Sequence, residues 1–273
     1  MRVSAKGLPS PLKRVEDGDE KKKKVKILFF DIETSPNIVY TWGYYEQNVI
    51  KVIKERKIIS VAWKWYGNKT VHSMCIPDFY GYNNCIKNNE RLIRKLHSLF
   101  CSADVLVGQN SDNFDIKMAN SEFVQYGLTP PPPHKTIDTL KVARSKFRFN
   151  SNKLNDIGIR LGLGEKIKTG GFELWENCMA GKKDAWALMV KYNKQDVVLL
   201  EKVYLKFRGW VKNHPNMNAF DLRPVCTTCK SNNILKRGWF FSKIGRRHRY
   251  QCYDCGNWMV GQLIKAKHEK MPS

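Results

Sequence analysis

Ten residues, Ile27 to Pro36 (ILFFDIETSP), constrain this chain more than any other stretch. Four apolar residues run directly into Asp31-Ile32-Glu33, and a Ser-Pro pair closes the segment. A short unbroken apolar run bounded by a turn signal is the pattern of a fully buried strand, which belongs at the centre of a sheet. Residues two apart on a strand share a face, so Asp31 and Glu33 are neighbours, roughly 7 Å apart along the backbone. Two carboxylates so placed repel each other and resist desolvation unless a cation joins them, and such a site suits magnesium or manganese. By itself the triplet reads better as an exposed strand end with two solvated acids. The rest of the chain has to decide.

With 273 residues, 42% hydrophobic, there is material for one core-forming domain of about 150 to 200 residues and a smaller unit. No apolar run approaches the roughly 20 residues a membrane span needs. The first residues lack the apolar centre of a secretory signal, so the expected location is intracellular and cytoplasmic, a viral protein in its host cell included. The formal net charge is +23, which points to a polyanionic partner; with no basic amphipathic helix in evidence, nucleic acid is favoured over a membrane surface. Residues 1–24 end in Lys21 to Lys24 and read as a flexible basic arm, with nuclear import the less favoured reading of the lysine run.

A hairpin is expected from Ile58–Tyr66 and Lys69–Ile76 through a Gly-Asn turn. Helices are expected over Asn89–Phe100, Asn113–Tyr126, Thr139–Phe147, Leu154–Leu163 and Asp184–Trp210, with short strands at Asp104–Gly108 and His134–Asp138. Pro130 to Pro133 is an extended connector and Lys166–Gly171 a basic, glycine-containing loop. A hairpin followed by alternating helices and strands gives an α/β fold with a mixed sheet flanked by helices. In such sheets ligands gather at the carboxyl ends of strands, where Asp31 and Glu33 lie.

Two further acids occupy informative places. Asp115 follows the expected strand DVLVG and opens a helix. Asp196 lies within the longest helix, four residues after Tyr192, so phenol and carboxylate share one helix face. Aspartate forms helices poorly, which favours a ligand role over a packing one. Asp138, Asp112, Lys153, Lys166 and Lys168 are lesser candidates: Asp138 as a helix cap or a partner to the site, the lysines as phosphate contacts.

Asp31-Ile32-Glu33, Asn110-x-x-x-Phe114-Asp115 and Tyr192-x-x-x-Asp196 together resemble the three exonuclease motifs of the DEDD superfamily. These are RNase H-like 3′-to-5′ exonucleases related to polymerase proofreading domains and to RNase D. The third motif is that of the Tyr-bearing branch; the His-bearing branch would place a histidine where this chain has Lys191. The resemblance covers about residues 27–208 and implies a stand-alone exonuclease similar to those of phage and bacterial genomes. It implies two divalent ions, with Asp31 bridging both, Glu33 and Asp196 completing one site and Asp115 holding the second. It further implies that Tyr192 orients the attacking water, that Asn110 helps to hold nucleic acid, and that nucleoside 5′-monophosphates are released.

Cys226-x-x-Cys229 and Cys252-x-x-Cys255, separated by 22 residues, have the spacing of a Cys₄ zinc ribbon. Four thiolates leave no open position, so that zinc is structural. Between the pairs, Lys236, Arg237, Lys243, Arg246, Arg247 and Arg249 interleave with Trp239, Phe240, Phe241 and Tyr250, a pattern suited to phosphates and unpaired bases. The same aromatics could instead fill a small ribbon core, and His248 is not needed as a ligand. Cys75, Cys85, Cys101 and Cys178 are scattered singly and are expected to be small buried hydrophobes in a reducing compartment. The expected layout is arm (1–24), exonuclease domain (25–210), linker (211–222) and ribbon (223–273). DNA, at single-stranded or frayed 3′ ends, is the expected substrate. RNA, an inert nucleic-acid-binding module and an RNase H-like endonuclease are the alternatives.

Overall fold

The computed structural model describes residues 24–45, 48–79, 88–219 and 223–265. The elements run β1 (Ile27–Thr34), β2 (Ile38–Tyr40), β3 (Lys51–Lys54), β4 (Ile58–Trp65), β5 (His72–Cys75) and α1 (Glu90–Cys101). Then follow β6 (Val105–Gly108), α2 (Asp115–Gln125), β7 (Lys135–Asp138), α3 (Thr139–Lys146), α4 (Leu154–Arg160), α5 (Glu173–Met179) and α6 (Lys183–Phe207). The chain ends with β8 (Ile234–Ser242), β9 (Gly245–Cys252), β10 (Trp258–Val260) and β11 (Ile264–Lys265).

The main sheet has the order β5-β4-β1-β6-β7, with β1 at its centre. β4 runs antiparallel to β1 and to β5, whereas β6 and β7 run parallel to β1. This is the expected mixed α/β sheet flanked by helices. Strand parity sorts its core into two layers. Leu28, Phe30 and Ile32 pack with Leu92, Leu96 and Phe100 of α1 and Phe123 of α2. Ile27 and Phe29 point the other way, toward Ile157 of α4 and Val197, Leu200 and Val203 of α6. Asp31 and Glu33 continue the Ile27, Phe29 series, so the alternation that buries β1 also aims both carboxylates at α6.

The expected helices and strands form with ends shifted by a few residues, and three features depart from expectation. The α5 helix after the basic loop was not anticipated, because its seven residues are too short to display a clear helical period. β2 and β3 pair into a two-stranded ribbon outside the main sheet, where only a mixed aromatic stretch was visible. Cys101 is exposed at the end of α1 rather than buried, its thiol near the His97 ring, while Cys75 and Cys178 are buried as expected. Cys85 and the basic arm through residue 23 lie outside the described residues. Asp138 caps α3, its carboxylate accepting from the backbone N–H groups of Leu140, Lys141 and Asn110. Among the described residues no helix is long and apolar enough to cross a membrane.

The C-terminal strands form a separate antiparallel sheet in which β9 pairs with β8, β10 and β11. Its cysteine end rests on the end of α6. A Cβ added to Gly209 would lie 2.4 Å from the Cys255 carbonyl oxygen, so only a glycine lets the backbones approach this closely. Met217 is buried against the α6 layer and its N–H donates to the Thr227 carbonyl, while the His214 ring meets the Tyr204 hydroxyl at 2.7 Å.

Candidate active site and cysteine cluster

The carboxylates of Asp31, Glu33 and Asp196 converge, each offering an oxygen within 4.8 Å of the others. Asp31 and Glu33 are half-buried on β1, and Asp196 is 1% exposed on α6. Asp115 belongs to the opposite helical layer, yet its Oδ1 accepts from the N–H of Ile32 at 3.3 Å, which pins it beside β1 between the two acids. The structure thus brings together the four acids expected from sequence, three in a tight cluster and the fourth adjoining.

Burial and mutual repulsion leave their mark on the acidities. Burial, reinforced by the charges of Glu33, Asp196 and Asp115, pushes Asp31 well above the usual carboxylate range. Glu33 is pushed up to about 8, by burial and then by Asp196. Asp115 is pushed up to about 7 by burial, opposed by the backbone N–H bonds it accepts. Asp196 is raised by burial, with the Lys166 ammonium pulling the other way. Four acids held so uncomfortably are costly to the fold, which is what a cation-binding set looks like without its cation.

Two residues that the motif reading did not place in the site complete it. Lys166, weighed from sequence as a phosphate contact, reaches from the loop before α5 to Asp196 Oδ2 at 2.5 Å and to the Tyr192 hydroxyl at 3.3 Å. Burial alone would lower its pKa, but Asp196 and Tyr192 overcome that and hold it protonated. Asn193 is fully buried; its Nδ2 donates to Asp31 Oδ2 at 2.6 Å, and its Oδ1 accepts from Ser60 Oγ at 3.0 Å. Asn193 thereby locks the orientation of Asp31. The signal for it was present, since Asn193 continues the buried stripe of Met189 and Leu200 on α6, where a polar residue needs a partner. Tyr192 is half-buried, with burial and then Asp196 raising its pKa, so the phenol stays protonated. Asn110 occupies a left-handed turn with φ 61°, and its N–H is committed to Asp138. Asp112 pairs with Lys141 at 2.7 Å, and Lys153 and Lys168 are exposed.

The acidic cluster fits a hard cation on a direct test. All its donors are carboxylate oxygens, and Asp196 Oδ1 is buried with no hydrogen-bond partner. The four ribbon cysteines also converge within 4.8 Å, with Sγ separations of 3.6 Å for Cys226–Cys255 and for Cys229–Cys252. That is far longer than a disulfide and close to the edge, about 3.8 Å, of a tetrahedron with zinc–sulfur bonds of about 2.3 Å. Donor type and spacing therefore suit a tetrahedral thiolate metal.

On the ribbon, the guanidinium of Arg246 stacks 4.6 Å from the Trp239 ring, whose other neighbours are Lys236 and His248. Arg237 lies over Tyr253 and Arg249 over Trp258. Trp239 and Tyr250 are half-buried, whereas Phe240, Phe241 and the Lys243 side chain are exposed. Arg247 is half-buried and donates to the Gly261 carbonyl, so it is the least available of the six cations for an outside partner.

No curated protein sequence matches the chain. Among solved structures it is similar to the family B DNA polymerase from the hyperthermophilic archaeon Pyrobaculum calidifontis, over 69% of this chain and 26% of that one, at 14% identity and a TM-score of 0.48. The chain therefore spans about a quarter of the polymerase's length. The model of the RNase H superfamily matches residues 67–208, which include Asp115, Tyr192 and Asp196; β1 to β4, and with them Asp31 and Glu33, lie before the matched residues. That match takes in more than half of the sequence, and the chain belongs to the RNase H superfamily.

Proposed function

We propose that this protein is a metal-dependent 3′-to-5′ exonuclease that hydrolyses DNA phosphodiesters to nucleoside 5′-monophosphates. The observation that carries the proposal is the convergence of the Asp31, Glu33 and Asp196 carboxylates, each with an oxygen within 4.8 Å of the others. Membership of the RNase H superfamily supports a nuclease, and the three motifs in order support the exonuclease branch.

In this reading Asp31, Glu33, Asp115 and Asp196 hold two magnesium or manganese ions. Such a pair supplies a Lewis acid at the scissile phosphate and an activated water. The chain's own groups do the rest. Asn193 keeps Asp31 Oδ2 in one orientation. Tyr192, held protonated, orients a water through its hydroxyl rather than taking a proton from it. Lys166, beside Tyr192 and Asp196, offers a positive charge to the phosphate. The cysteine cluster holds one structural zinc, and the cationic, aromatic face of β8 and β9 grips the nucleic acid. The division into nuclease domain, 211–222 connector and ribbon belongs to the same proposal, as does a location in the reducing interior of a cell.

The test is a time course with single-stranded DNA and RNA of matched sequence, labelled at the 5′ end, with magnesium or manganese. A ladder shortening from the 3′ end, faster on DNA, is the expected result. Faster shortening of RNA would make the enzyme an exoribonuclease. Tight binding without shortening of either would leave a nucleic-acid-binding module.

A further inference from the structure

The β2–β3 ribbon is a peculiar object. It is two-stranded and unpaired to the main sheet, an arrangement that is marginal on its own in water. Yet the turn region that it carries is aromatic: Trp42 is 86% exposed, and Tyr44 and Tyr45 are essentially fully so. Tyr40, Val49, Ile50, Val52 and Ile53 add further exposed apolar surface. So many exposed aromatic and apolar side chains on one small element mark an interaction surface.

Charge and position identify the occupant. Tyr40 stands directly across from Lys51, and Ile38 across from Lys54, so cations alternate with apolar and aromatic faces along the ribbon. A protein-binding patch has no need of that interleaving, whereas a strand of nucleic acid offers a phosphate for each cation and a π-face for each ring. The ribbon also springs from the site itself. Ser35 and Asn37, two and four residues beyond Glu33, tie its two ends together: Lys57 N–H donates to Ser35 Oγ and Arg56 N–H to Asn37 Oδ1. The Arg56 guanidinium lies 5.8 Å from the Phe114 ring, next to Asp115. At its foot lies a largely apolar groove of about 320 Å³, lined by Pro36, Ile38, Ile53 and Met179 with Ser35 and with Lys54 and Lys57 against one acid, Glu55, and within the size range of small-ligand sites. Nine residues separate Glu33 from Trp42, a reach of at most about 32 Å, so groove and aromatic tip both lie within a few nucleotides of the carboxylates.

We propose that the β2–β3 ribbon is a stacking arm for unpaired bases of the nucleic-acid strand whose 3′ end enters the carboxylate cluster, with the groove at its foot taking a base close to that end. The inference rests on the nuclease reading and sharpens it, because it makes single-stranded ends the substrate rather than paired ones.

The experiment compares the full chain carrying Asp31→Ala, which binds without cutting, with the same chain also carrying Trp42→Ala, Tyr44→Ala and Tyr45→Ala. Fluorescence anisotropy reads the affinity of each for a labelled single strand of about twelve nucleotides and for a blunt duplex of equal length. The expected result is a loss of about thirtyfold or more for the single strand and about twofold or less for the duplex. Tyr44→Phe with Tyr45→Phe keeps single-strand affinity, since the ring rather than the hydroxyl stacks. Equal losses on both probes, or no loss on the single strand, overturn the proposal. Should the triple variant melt early, Tyr44→Ala alone decides, expected to cost the single strand about threefold or more because that side chain is fully in solvent. Because the readout is binding, a chain that proves unable to cut any substrate overturns the nuclease reading and leaves the arm to be judged separately.

Discussion

The two candidate metal centres are opposites in construction. The cysteine cluster is local: two C-x-x-C turns bring four thiols together from residues 226–255. The carboxylate cluster draws on β1, α2 and α6, from residue 31 to residue 196, and its members repel one another. In the proposed function, a metal at the first would help its short unit to fold, whereas in the second the fold exists first and forces the ligands together. One centre would assemble the structure around it. The other is assembled by the structure and is costly to it.

That contrast is open to measurement, and the sharpest attack is on β1. Asp31→Ala should lower cleavage by three orders of magnitude or more, roughly 4 kcal/mol of barrier, while the thermal midpoint holds or rises. A drop of many degrees instead would mean that Asp31 is structural. Cys226→Ser with Cys229→Ser should do the reverse. The β8–β11 sheet should lose its dispersed NMR signals, since metal binding supplies about 10 to 16 kcal/mol in comparable small units. Affinity for long nucleic acid should weaken as well, yet cutting of short oligonucleotides should persist. Loss of that cutting too would show that the ribbon, through its seat on Gly209, holds α6 in place.

Smaller effects probe how the fold holds its acids. Asn193→Ala frees Asp31 Oδ2 and strands the Ser60 hydroxyl, so cleavage should fall about 10- to 100-fold and stability by about 1–3 kcal/mol. A kcat equal to wild type would remove Asn193 from the positioning of Asp31. The last prediction concerns pH. Glu33 is pushed up to about 8 in the fold from an ordinary 4.5. The stability that its protonation contributes is therefore complete below about pH 4.5 and lost as pH rises through 8. Without divalent ions, Glu33→Gln should lose less stability than wild type between pH 5 and pH 9, by about 1–2 kcal/mol, as water still reaches the carboxyl. Parallel melting curves across that range would sink the repulsion argument.

Much of this was legible before any coordinates. The unbroken run Ile27–Phe30 announced the central strand because no exposed strand tolerates such a run, and parity then fixed which way Asp31 and Glu33 face. The C-x-x-C pairs were self-declaring, since their chemistry is local. What escaped was whatever depends on contacts distant in sequence. Lys166 could not be told from the chain's many other lysines until its loop was laid against α6. Asn193 looked like one more polar residue on a helix until Ser60 appeared across from it. The β2–β3 arm was obscured because its apolar residues face water, and pattern reading assumes that apolar residues face a core.

The seating of Gly209 beneath Cys255 has one more implication. Both Asp196 of the carboxylate cluster and the foothold of the C-terminal sheet are fixed to α6 and the short 3-10 turn that follows it, with thirteen residue steps from Asp196 to Gly209. At 1.5 Å per residue that is a rod of about 20 Å, and it works as a ruler. A strand that engaged the proposed site and the C-terminal sheet together would be held at two points on one rigid element, whose spacing is set by helix geometry and is indifferent to base sequence.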